Sequence, residues 1–266
     1  MKSSPPRRKP LTLKLSSEAT VRVTDGPLPF PPRYSPAGAF VTVSPHTDQP
    51  SQEVLLSETF GSFDWLWSGD DEFRFAKEDG RLKGIILKVP EEPAPVRWTL
   101  PEAWLEADLV PGGIACTMRA NFDVPPTAIR FLTPGAEHLV CAYGEILAES
   151  KDVDRVRIAE RMDLVFTGGI YSGWMLHRPA DHLVTEWEHP PAGPAPAGVT
   201  AALETYLRLF TYSNIELMQE GDTDLLSAID SLIARLASLP HDPRGTVIEE
   251  HLRDVRQEWY RQPRKR

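Results

Sequence analysis

Three of the chain's seven histidines fall inside His177-Arg178-Pro179-Ala180-Asp181-His182-Leu183-Val184-Thr185-Glu186-Trp187-Glu188-His189, a stretch that also carries three carboxylates. Two imidazoles and a carboxylate converging on one point can hold zinc or non-haem iron. On a helix His182, Glu186 and His189 would share a face at i, i+4 and i+7. The residues between them oppose that helix: Leu183-Val184-Thr185-Glu186-Trp187 favours a strand, which keeps His182 with Glu186 and turns His189 away. The candidate metal set is His177, His182, Glu186 and His189. Against it stands a plain polar strand end, because no recognised ligand spacing is met.

His138 and Cys141 invite a Cys/His nucleophile, but a separation of three puts them on opposite faces of a strand. Asp70, Asp71 and Glu72 follow a Ser-Gly turn signal and read as a solvated hairpin tip. Just upstream, Trp65 and Trp67 share a strand face at period two. An aromatic anchor beside an acidic turn suits a basic partner, so Trp65, Trp67, Asp70 and Asp71 are the candidate partner-binding residues. The chain holds no G-x-S-x-G elbow, P-loop, G-x-G-x-x-G after a strand, H-E-x-x-H or C-x-x-C. No cofactor is expected.

Charge sharpens this picture. The net charge of −9 hides a basic start and end: without residues 1–50 and 261–266, the body 51–260 has 18 basic against 35 acidic residues, a net −17. Such a body repels nucleic-acid phosphates and attracts basic protein surfaces, although many proteins are acidic for solubility alone. No apolar run reaches the roughly 20 residues that span a bilayer, and no apolar segment follows the basic start. A soluble cytoplasmic protein without membrane or nucleic-acid partners is expected. Cys116 and Cys141 lie in apolar strand-like runs and are expected free.

The elements that must position these residues read as follows. Asp79–Glu91 aligns without gaps on Gly168–Ala180, matching Gly80 to Gly169, Gly84 to Gly173, Leu87 to Leu176 and Pro90 to Pro179. Upstream, Phe73-Arg74-Phe75 falls on Met162-Asp163-Leu164, so each unit reads as strand, glycine turn, strand and proline stop. Duplication and shared turn chemistry both account for the likeness. Further strands are expected at 114–122, 128–132, 138–143, 155–158, 163–167, 170–177 and 183–187, with one short helix at Glu102–Leu105. Past a proline linker, Leu203, Leu207 and Phe210 form one helical stripe, and Leu225, Ile229, Leu232 and Leu236 a second. Thr246 with Glu249 reads as a capping box opening a third helix, whose apolar face is Ile248, Leu252, Val255 and Trp259.

The expected fold is α+β: a large antiparallel β body of about nine to twelve strands, read either as one meander or as two pseudo-repeated hairpin halves, with a C-terminal helical segment. The organisation is a Pro-rich basic N-terminal arm (1–54), the β body (55–189), a Pro-rich linker (190–199), helices packed on the body (200–260) and a basic tail (261–266). Charge and missing motifs point to a non-enzymatic binding or accessory protein for a basic protein or peptide, of immunity or maturation-partner type. The alternatives are a metal-dependent enzyme using the His177–His189 cluster and a small-molecule-binding β module with a cleft between two halves.

Overall fold

The computed structural model describes residues 11–62, 69–95, 102–144 and 152–260. Its architecture is α+β, with two largely antiparallel sheets and a C-terminal helical layer. Fourteen strands form among the described residues, more than expected, because the Pro-rich start is itself built into the sheets. Strands β1 (Thr12–Lys14) and β2 (Thr20–Thr24) join the larger sheet, while β3 (Arg33–Ser35) and β4 (Phe40–Val43) join the smaller.

Helix α1 (Gln49–Glu58) follows, and the sequence reading missed it. Asp48 caps it by accepting from the Ser51 N–H, while Ser51 returns a bond to the Asp48 N–H, and Pro50 sits harmlessly in the first turn. The five-stranded sheet is completed by β5 (Thr59–Ser62), β6 (Glu72–Ala76) and β7 (Leu82–Lys88), in the order β3-β4-β7-β6-β5.

The nine-stranded sheet adds β8 (Leu109–Pro111), β9 (Gly113–Cys116), β10 (Ile129–Leu132), β11 (His138–Ala142), β12 (Val153–Ala159), β13 (Met162–Thr167) and β14 (Ile170–His177). Its main path runs β8-β12-β13-β14-β1-β2-β9, and β11 with β10 branches from the far edge of β14. Period-two alternation gives this sheet two buried faces. Leu139, Cys141, Leu164, Phe166, Trp174 and Leu176 enter the main core, while Val140, Ala142, Val165 and Met175 pack on the opposite face under Trp104 of the short helix α2 (Glu102–Glu106). The main core also takes Phe73 and Phe75 of the other sheet.

Both candidate repeats are hairpins, but their registers differ. In each, the residue opposite the mid-strand glycine precedes a bulge: Arg74 faces Gly84, and Val165 faces Gly173. The first hairpin turns through residues 77–81 and the second through Gly168-Gly169 alone, so the first strands are out by two residues. Phe73 pairs with Ile85, whereas Met162 pairs with Leu176 and not with Trp174. A shift of two preserves the faces, but the ungapped alignment holds only along the second strands. Gly80 brings the sheets together. At φ 74° its carbonyl accepts from the Cys116 N–H, and a Cβ there would lie 2.9 Å from the Cys116 oxygen.

Four C-terminal helices replace the expected three: α3 (Ala197–Leu209), α4 (Tyr212–Glu220), α5 (Thr223–Ala237) and α6 (Pro243–Trp259). The expected stripes are buried for the most part, Ile248 and Leu252 fully so, while Leu225 and Trp259 are only partly buried. Arg130 of β10 fastens this layer: its guanidinium donates to the Leu207 and Phe210 carbonyls ending α3, at 2.6 and 2.5 Å, and to Pro90 O. No helix is long and apolar enough to cross a membrane among the described residues.

The start of α6 lies earlier than the Thr246 box. Asp242 is the cap, accepting from the Arg244 N–H at 3.0 Å, with Pro243 in the first turn. Asp242 also lies 3.7 Å from the buried Arg244 guanidinium. Asp242→Ala is therefore expected to cost about 2 kcal/mol in urea unfolding, a cap plus part of an ion pair, and Thr246→Ala less than about 0.5. The reverse ranking would contradict the assignment.

Candidate functional site

The histidine segment does not fold as the sequence suggested. Arg178 turns left-handed (φ 52°), Pro179–His182 makes a 3₁₀ turn, and residues 183–187 form no strand beyond one bridge between Leu183 and Tyr34. Side chains of β3 hold the segment instead of a ladder: Arg33 donates to Trp187 O at 2.7 Å and Ser35 to Thr185 O at 2.8 Å. Glu186 and His189 are consequently exposed on irregular chain. His182 is buried with Nε2 3.2 Å from His177 O, and burial lowers its pKa to about 4, so the ring is neutral at physiological pH. Among the described residues no group of three His, Cys, Asp or Glu side chains is placed to hold a metal ion.

His177 belongs to a different constellation, on the outer face of four adjacent strands. Its Nε2 donates to Asp163 Oδ2 at 2.7 Å, and Asp163 also accepts from Arg155 Nη2 and Arg157 Nε, both at 2.8 Å. His138 of β11 packs edge-on against His177, the ring centroids 4.8 Å apart. Burial alone would raise the Asp163 carboxyl, but the bonds from His177, Arg157 and Arg155 outweigh it and hold the group far below the usual carboxylate range. A carboxylate held so far down is a weak base near neutrality. The network is a tie across β12, β13 and β14. Its sequence signature was Arg155-Val156-Arg157 at period two opposite a lone Asp163 in the next strand, which the search for His and Cys spacing passed over.

The acidic turn is also altered. Asp70 is half-buried, but Asp71 has no exposed surface, so in this conformation it cannot meet a partner. Its Oδ1 accepts from the Lys88 N–H at 2.8 Å, while Oδ2 is buried with no hydrogen-bond partner. Burial pushes its pKa up to about 8. The Tyr171 hydroxyl and Thr127 Oγ1 are likewise buried without partners. Trp65 and Trp67 lie outside the described residues. Cys116 and Cys141 are free and buried, and Cys141 sits in the core on the face opposite His138, its thiol pushed up by burial.

What the sequence reading passed over is the surface of α4. Thr211 caps this helix by accepting from the Asn214 N–H, and Gly221 closes it at φ 87°. Met218 is its buried contact. Tyr212 and Leu217 stand 58% and 43% exposed, and Tyr212 is the one exposed aromatic among the described residues. At 100° per residue Glu216 and Glu220 fall between them on the same face. Comparisons with family models, curated proteins and solved structures find no match for the chain.

Proposed function

We propose that this chain is a non-enzymatic binding protein, of immunity or maturation-partner type, which engages a basic protein or peptide through the outer face of α4. The observation that supports this is the exposure of Tyr212 and Leu217 beside Glu216 and Glu220. Folding exposes few large apolar side chains together without use, and an aromatic and an aliphatic anchor inside an acidic rim combine off-rate and on-rate control in one patch. The helical segment 197–260 adds eleven Asp and Glu against five Arg, one of which, Arg244, is buried.

The test is affinity capture from the native host with untagged protein, followed by binding kinetics. Tyr212→Ala and Leu217→Ala are expected to accelerate dissociation at least about tenfold each. Glu216→Gln with Glu220→Gln should slow association and flatten its salt dependence. Trp65→Ala and Trp67→Ala serve as parallel probes. A captured partner that binds all α4 variants like wild type would overturn the surface assignment. Stoichiometric zinc or iron, lost in His182→Ala, would favour the enzyme alternative.

A further inference from the structure

Away from the helical layer, α1 and the β6–β7 turn border two adjoining hollows that share Thr59 and Lys77 in their walls. The first, of about 580 Å³, is lined by the cations Arg74, Lys77 and Arg119 together with Leu56, Phe60 and Asn121, and no carboxylate of the described residues lines it. Arg74 is 4% exposed, its Nε donating to Thr59 Oγ1 at 3.0 Å and Nη2 to Thr59 O at 3.1 Å. Burial depresses its pKa and neighbouring Glu72 counters that, but a guanidinium stays charged. The rim cations are held by main-chain carbonyls: Lys77 Nζ donates to Ser57 O and Arg119 Nη2 to Glu78 O, each at 2.6 Å. Main-chain acceptors thus position both cations at the rim, in a chain of net charge −9.

The second hollow, of about 930 Å³, lies where the two sheets meet. Its wall is largely apolar, with Leu28, Phe30, Val54, Leu55, Leu82 and Ile114, and Val54 is 55% exposed there. Glu58 and Glu78 are the carboxylates on this wall, offset by Lys77, Arg81 and Lys83. Each hollow falls in the size range of small-molecule sites. An apolar cleft opening onto a cationic pocket is complementary to one class of ligand.

We propose that the paired hollows bind a small amphipathic organic anion, its carboxylate or phosphate head bracketed by Lys77 and Arg119 above Arg74 and its apolar body lying in the cleft against Leu28, Val54 and Leu82. This site is independent of the α4 surface, since no residue of α3 to α6 lines either hollow.

Isothermal titration calorimetry of the full chain with decanoate and with decanol tests it. Decanoate should bind saturably at one site, and decanol at least about tenfold more weakly. Lys77→Gln with Arg119→Gln, both at exposed positions, should weaken decanoate at least about tenfold, while Arg208→Gln with Arg253→Gln on the helices leaves it unchanged. Val54→Glu supplies a second arm by placing a carboxylate in the cleft without touching the cations, and should also abolish binding. Absence of saturable decanoate binding, equal affinity for decanol, or wild-type affinity in both the cation and the Val54 variants overturns the proposal.

Discussion

Asp71→Asn is expected to stabilise the protein by several kcal/mol at pH 8 and to leave it nearly unchanged at pH 4. The folded carboxyl titrates near 8, because burial penalises its charge and a single N–H, that of Lys88, offsets only part of that cost. In the unfolded chain the same group titrates near 4. Between those values the folded state keeps a proton that the unfolded state has released, so stability falls as pH rises. Above about 8 both states are ionised and the loss is complete, on the order of 5 kcal/mol at 1.36 per pH unit. Asparagine fills the same space, accepts the same Lys88 N–H and does not titrate. The nearby charges, Lys88 and Asp70, and the neutral Tyr143, Tyr171 and Cys141 are common to both proteins. Urea unfolding across pH 4.5 to 8.5 should therefore show an advantage of the variant over wild type that is small at pH 4.5 and grows to several kcal/mol at pH 8.5, whatever slope buried histidines such as His182 add to both. Parallel curves would show that Asp71 is hydrated and unshifted.

Asp71 also shows where sequence reasoning stops. Ser68-Gly69-Asp70-Asp71 carries turn chemistry, and a turn is normally solvated. Its burial follows from long-range packing: Asp71 N–H bonds to Val124 O, and Ser62 Oγ donates to Asp71 O. Neither contact has a local signature. The alternation of Leu139, Val140 and Cys141, or the stripe of Ile248, Leu252 and Val255, was legible because one segment alone encodes it. Arg33 and Arg130 were illegible for the opposite reason. Each satisfies carbonyls that lie up to 154 and 80 residues away in sequence. The His177 cluster was half legible. Its histidine was singled out, but as a metal ligand, and the partners that it meets, Asp163 and Arg157, come from neighbouring strands whose register no local pattern specified.

Removing the Asp163 charge should produce a loss of about 3–5 kcal/mol, the cost of stranding paired cations in a desolvated site. Asp163→Asn leaves the Arg155 side chain, 8% exposed, and the Arg157 side chain, 32% exposed, facing a neutral amide. The half-exposed Arg157 recovers part of its hydration, so most of the penalty falls on Arg155. The sign of the pH dependence is the reverse of that at Asp71. A carboxyl depressed in the folded state contributes its full stabilisation above the unfolded value near 4, and that contribution is lost only as pH falls through the far lower folded value. From pH 4.5 to 8.5 the Asp163→Asn curve should thus run parallel to wild type and several kcal/mol below it, keeping the decline that Asp71 imposes. Combining both variants should give a curve parallel to that of Asp71→Asn and several kcal/mol below it, since Asp71 lies just before β6 of the smaller sheet and Asp163 in β13 of the larger, and their effects should add. A change in slope with Asp163→Asn alone would mean that the carboxyl titrates near neutrality, and that Asp163 with His177 is an acid–base pair and not a structural tie.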